Sequence, residues 1–343
     1  MKVLLRKNSL VSTGFLQVAC VALFIFFGGC KKGHENPTLK LTTVATGLAS
    51  PMGLDVDHRG NVWVIQQGTA NNDAKVVVIK PNGSKYDAIV NLSSFINENS
   101  GEIQGGSHLL FDNGMLYVLS GNYLYKVNVS GFTPGDTPID GSTLPFEDVA
   151  AFSLSYPWVN NAHDSHPYNL MKGPDGDIYI ADAGANAILH RKSAGNYSVV
   201  AEIPGFANPT PIGPPQIQAV PTGIIFDGHN FLVSVLTGFP FPAGEAVIYK
   251  VSLQGDVSVY QAGFTTLVDI APGNVLGHLV LSYGSFGATG FAPNTGSLIL
   301  ANGTSSQVLA GSLNMPVGIA QVNNHTWYIT IMGDGTVVKA EFD

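Results

Sequence analysis

The feature that most constrains this chain is a short meander that recurs along it. Its clearest copy runs from His166 to Lys192 and contains three apolar stretches, Tyr168 to Met171, Ile178 to Ala181 and Ala187 to Lys192. Between the first two lies Pro174-Asp-Gly176, and Gly184 lies between the second and third. Pro174 presets φ for a turn corner, Asp175 hydrogen-bonds its own backbone, and Gly176 supplies a positive φ. The three stretches are therefore predicted to fold back as antiparallel strands. Weaker copies begin at Gly53, His108, Gly223, Val268 and Gly318. Their spacing of about fifty residues is the period of a four-stranded propeller blade, not of a helical solenoid.

Six copies predict an all-β, six-bladed β-propeller of four-stranded antiparallel blades over residues 39–343. Composition agrees: 40 glycines, 20 prolines and only 12% charged residues suit a turn-rich all-β domain. No stretch after the N-terminal apolar run reads as a helix of any length. Leu39 to Thr46 alternates like a strand but belongs to none of the first meander's strands, while Thr336 to Phe342 is a third strand with no fourth behind it. Each lone part completes the other, so the N-terminal strand is predicted to close the ring as the outer strand of the last blade.

The first residues are basic, and Leu10 to Phe27 is an apolar run ending in Phe27-Gly-Gly-Cys30. That is the layout of a secretory signal with small residues before a cysteine. It resembles a bacterial lipobox, which implies a lipoprotein signal peptide over 1–29, lipidation of Cys30, and a lipid-anchored tether over 30–38. The expected location is the cell envelope, as a membrane lipoprotein facing the periplasm or the cell exterior. A transmembrane anchor is the competing reading, because the run approaches the ~18 apolar residues of a candidate span. Of the two cysteines, Cys20 would leave with the signal, so no disulfide is expected. The net charge of −8 argues against nucleic acid as a partner.

Blade topology puts the a–b and c–d turns on one face and the b–c loops and blade crossings on the other. The first set is short, except for a long c–d connection in blade two, near Gly131 to Phe146. The second set includes the long Gln67 to Lys75, Leu154 to Pro167, Gly205 to Pro221, Thr237 to Ala246 and Tyr283 to Gly296, which nominates that face for function. Strand ends there carry Gln66, His108, His166, Asp182 and Thr237, with His163, Asp164 and Asn186 nearby. His163-Asp-Ser-His166 is a metal site or acid/base pair on one reading and polar channel lining on the other. Asp182 and Asn186 either tie their own turn or offer two oxygens to a divalent cation; no other cofactor is expected. Phe239 and Phe241, stiffened by prolines, are candidate ligand contacts on one reading and packing against the neighbouring blade on the other. The ligand-binding set on this face is thus His108, His163, His166, Asp182, Asn186, Phe239 and Phe241. No Walker loop, GxSxG or CxxC motif is present.

The strings Asp164-Ser-His-Pro-Tyr168, Ala181-Asp-Ala-Gly-Ala-Asn186, Val220-Pro-Thr-Gly223, Leu236-Thr-Gly-Phe-Pro-Phe-Pro242 and Gly263-Phe-Thr-Thr-Leu-Val-Asp269 resemble the ScyD/ScyE family of propellers. That family is related to NHL and regucalcin-like propellers. The resemblance implies a six-bladed propeller with an accessory or unassigned role, and the leading reading is a binding module for an unknown protein or small molecule, held at a membrane through Cys30. The alternative is a channel-site enzyme of the lactonase (divalent-metal hydrolase) or sugar dehydrogenase type.

Overall fold

The computed structural model describes residues 39–98, 100–160, 162–274 and 276–342. The signal peptide, the tether and Cys30 lie outside the described residues. Six antiparallel sheets form the blades of the propeller. Taking strand a as the first of each meander, the six a strands are Pro51–Val56, Gly106–Asp112, Pro167–Lys172, Pro221–Phe226, Leu267–Asn274 and Pro316–Asn323. Blade three is the clearest: Pro167–Lys172, Ile178–Asp182, Ala187–Ser193 and Asn196–Glu202 follow one another with neighbours paired.

The ring closes as its lone ends predict. Leu39–Ala45 pairs antiparallel with Thr336–Phe342, with Leu39 opposite Phe342 and Thr43 opposite Val338. It is the fourth strand of the last blade. Each pair of neighbouring blades buries apolar side chains between its sheets. Ile65, Val76 and Ile89 of blade one pack with Leu116 and Val118 of blade two, and Trp327 and Ile329 of blade six pack with Leu279 and Leu281 of blade five.

Two features depart from the regular pattern. The long c–d connection of blade two first lays Ile139–Asp140 parallel against Lys85–Leu92, adding a fifth strand to blade one. Only then does it supply the short last strand of its own blade, Phe146–Asp148. The second departure is a seven-residue helix, Val149–Ser155, where no helix was expected. The Asp148 side chain caps it by accepting from the Ala151 amide at 2.9 Å. Its Val149 and Ala150 are buried, so packing stabilises a segment too short to be helical alone.

Candidate functional site

In all six blades the pairing of strand a with strand b shifts register near the start of strand a. Such irregularities re-aim side chains. Two residues into the irregular stretch of each blade, the equivalent residues are Gly53, His108, Asn169, Gly223, Asp269 and Gly318. Three glycines and three polar residues thus share this step around the axis, with His108 and Asn169 in neighbouring blades and Asp269 across the ring from His108. The glycines let the inner strands approach: a Cβ on Gly53 would lie 2.5 Å from His108 Cδ2, and one on Gly223 would lie 2.7 Å from the Ile270 nitrogen.

The three polar side chains meet across the axis. Asn169 Nδ2 donates to Asp269 Oδ1 at 2.8 Å and to the Thr222 carbonyl at 3.1 Å. Asp269 Oδ2 accepts from the Ile319 amide at 2.8 Å and stands 3.6 Å from His108 Nε2. Blades two and five lie on opposite sides of the ring, so this approach happens only at its centre. His108 Nδ1 is 2.9 Å from the Tyr168 carbonyl, which can only accept, so Nδ1 carries a proton. The remaining blade junctions carry similar ties: Asp55 Oδ2 accepts from the Phe111 amide at 2.7 Å, Thr222 Oγ1 donates to the Leu267 carbonyl at 2.8 Å, and Thr330 Oγ1 donates to the Met52 carbonyl.

This layer divides the channel. Toward the short-turn face lies a cavity of about 280 Å³, walled by Leu54, Leu109, Leu170, Ile224, Ile270 and Ile319. Asp55 sits in its wall, and burial pushes its carboxyl up to about 6 against the two amides it accepts from. Toward the long-loop face the layer is overlaid by aromatic and imidazole rings. His108 and Tyr168 have centroids 4.9 Å apart, and Tyr168 and His166 stand edge to face at 5.6 Å. Burial holds His166 below the usual histidine range, although Asp182 and Asp164 pull it the other way. Burial and the charge of Asp269 raise the Tyr168 phenol, and burial lifts Tyr283 to about 12.

The other residues singled out in the sequence divide into framework and rim. Asp182 is fully buried and accepts from Ser153 Oγ (2.6 Å), Ser165 Oγ (2.7 Å), the His166 amide (2.8 Å) and the Ala185 amide (3.1 Å). It fixes the loop that carries His166. Asn186 adopts a left-handed φ of 54° and accepts from the Val220 amide at 2.9 Å, tying blade three to blade four. Gln66 accepts from the Ala49 amide, and Thr237 is buried. His163 is exposed, while Asp164 lies 3.3 Å from Asn97 Nδ2.

Phe239 and Phe241 form the edge of a larger cluster that includes residues the sequence did not single out. Phe241 packs against Phe286 at 4.8 Å and Phe291 at 5.0 Å, and Phe291 meets Tyr283 edge to face at 4.8 Å. Tyr283 and Tyr168 both pack on the core between blades one and two. A continuous aromatic surface therefore runs from the half-exposed Phe239 toward the channel.

Among the described residues, the one convergence of three potential metal-ligating groups is Asp175, Asp177 and His190, on the short-turn side of blade three. In the channel, both oxygens of Asp182 and Asp269 already accept protein donors, so these carboxylates do not fit a divalent-cation cage.

No protein-family model matches the chain, and no curated protein is similar to it in sequence. Solved structures do resemble it. An aldose sugar dehydrogenase from Streptomyces coelicolor, in its PQQ-bound form, aligns with a TM-score of 0.55 at 16% identity, over 90% of this chain and 98% of that one. A gluconolactonase from Xanthomonas campestris aligns with a TM-score of 0.55 at 10% identity, over 89% and 90% of the two chains. A streptogramin B lyase aligns with a TM-score of 0.51 at 14% identity, over 89% and 98%. At these identities the likeness shows the six-bladed propeller fold.

Proposed function

We propose that this protein is a channel-site enzyme that moves protons at the long-loop mouth, with a small lactone or sugar-like ring as substrate. One observation carries the reading: His166 and Tyr168 stand edge to face above the axial polar layer, with the imidazole held below and the phenol above their ordinary values. Near neutral pH, His166 is then an available base, and Tyr168 stays protonated as a hydrogen-bond donor for a developing oxyanion. On a lactone, His166 would take a proton from the attacking water while Tyr168 donates to the developing oxyanion. The tetrahedral adduct would then collapse with cleavage of the ring C–O bond, the His166 imidazolium giving its proton to the departing alkoxide to yield the hydroxy acid, while the Tyr168 phenol keeps its proton and releases the re-formed carbonyl. The proposed transfer needs neither metal nor quinone. The structural neighbours, a gluconolactonase, a sugar dehydrogenase and a streptogramin B lyase, support an enzyme more than an accessory role.

The test is hydrolysis of a panel of γ- and δ-lactones by the purified protein, with and without a chelator. The expected result is turnover that survives chelation and falls about a hundredfold or more in His166→Ala at unchanged melting temperature. Absence of turnover across the panel would remove the lactone reading. A ScyD/ScyE-like binding module anchored through Cys30 is the second reading, favoured by Phe239, which is 50% exposed at the rim of its aromatic cluster. It predicts ligand or partner capture that Phe239→Ala weakens and His166→Ala does not.

A further inference from the structure

The short-turn face carries a second cavity, of about 310 Å³, between blades one and two. That volume is at the lower end of small-molecule sites. One wall is the turn after strand a of blade one, and the other is the long connection of blade two, through Val129, Ser130, Phe132 and Pro134. Other c–d connections on this face are short, such as Gly195 in blade three and Gln254-Gly-Asp256 in blade four. The long one is therefore an addition that turn formation does not require, and it walls this cavity.

The walls are firmly held. Asp57, 8% exposed, accepts from the amides of Arg59 and Asn61 through Oδ1, both at 2.9 Å, which fixes the turn. Its Oδ2 accepts from Asn61 Nδ2 at 2.8 Å and from Trp63 Nε1 at 3.1 Å, which fixes the indole. Trp63 in turn stacks on Phe111, with centroids 6.0 Å apart and planes within 19°, and meets Phe132 at 6.1 Å. The result is a slot with an aromatic wall whose two sides belong to different blades.

The charge in the slot is asymmetric. The Asp57 carboxylate is surrounded by donors, whereas Arg59 is exposed at the mouth beside His58. Of the two arginines among the described residues, Arg191 is paired with Glu147 through Nε at 2.8 Å. Arg59 makes no ion pair with a described carboxylate. An arginine fork presents planar donors matched to a carboxylate, sulfonate or phosphate.

We propose that this slot is a binding site, separate from the channel mouth, for a small planar anion: a flat apolar body against Phe111 and Phe132, with its acidic group on Arg59. The site stands independently of the catalytic reading, because none of its residues reaches the channel mouth.

The probe pair is 2-naphthoate and its neutral counterpart 2-naphthylmethanol, titrated calorimetrically into the purified full-length protein. Naphthoate is expected to bind at least tenfold more tightly than the alcohol, because only the acid offers a charged partner to the Arg59 guanidinium. Arg59→Ala should abolish that preference and leave melting unchanged, because the side chain is exposed. Phe132→Ala should weaken both probes together. Equal binding of acid and alcohol, no binding of either, or a preference that persists in Arg59→Ala would each overturn the proposal. Unaltered naphthoate binding in His166→Ala separates this site from the channel.

Discussion

Replacing Gly53 by alanine tests the axial layer on which the site is built. The added Cβ would sit 2.5 Å from His108 Cδ2, 2.6 Å from Cγ and 2.7 Å from Cα. Ordinary contacts begin near 3.4 Å, so about 0.9 Å must be found. The ring could swing away, but the Cα belongs to the inner strand of blade two, so the two inner strands must also part. Overpacking of this kind costs about 2–3 kcal/mol. For a domain of about 300 residues that is a fall of roughly 3 to 5 °C in Tm. Gly311→Ala is the control, because its Cβ would meet nothing within 4 Å. It should melt within about 1 °C of the parent, the range of a neutral surface change. Calorimetric melting of the two variants side by side measures the difference. If Gly53→Ala melts like the control, the inner strands are not as closely packed at the axis as described, and the account of the polar layer fails.

Three further outcomes follow from the structure and sequence. Deleting residues 39–45 removes the partner of Thr336–Phe342 and opens an edge beside the buried Val337 and Ala340, so aggregation or a large fall in Tm is expected; unchanged melting would refute closure. Asp55 is raised from 3.8 to about 6, so the folded state holds its proton more tightly than the unfolded chain. Its contribution is fully present below about pH 4 and is lost as pH rises to about 6, by at most about 3 kcal/mol because the side chain keeps some exposure. Asp55→Asn should flatten the stability profile across that window, and an identical profile would contradict the shift. Cys30→Ser should release the protein from the membrane fraction or leave it unprocessed; a processed, membrane-bound variant would refute lipidation there.

Much of the fold was legible because each blade repeats the same chemistry in the same order. Gly53, His108, Gly223 and Gly318 each begin a recognisable copy, and all four lie at equivalent places on the axis. Closure was legible from the two unpartnered strands at the ends of the domain. The helix over Val149–Ser155 was not, because its stability comes from packing and its one local signal is the cap Asp148. The extra strand at Ile139–Asp140 has no periodicity of its own. Within the site, His108 and His166 were visible as titratable groups at strand ends. Asp182 and Asn186 offered the same oxygens to a turn, a cation or a neighbouring blade, and only the positions of Ser153, Ser165 and Val220 show which donors they meet. Asp269 and Tyr283 escaped notice as site residues because they lie in blade five, whose turn signals are weakest. Yet Asp269 occupies the same step of strand a as His108 and Asn169, so aligning the six copies on Gly53 would have exposed the layer.

The most direct test of the catalytic reading is the pH dependence of lactone turnover. Burial holds His166 below the ordinary histidine value of 6.5, so the base stays unprotonated through neutrality and is lost only as pH falls further. The account predicts a kcat/KM profile that is flat near pH 7, with an acid limb below 6.5 that disappears in His166→Ala together with most of the rate. An acid limb that persists unchanged in His166→Ala would contradict it.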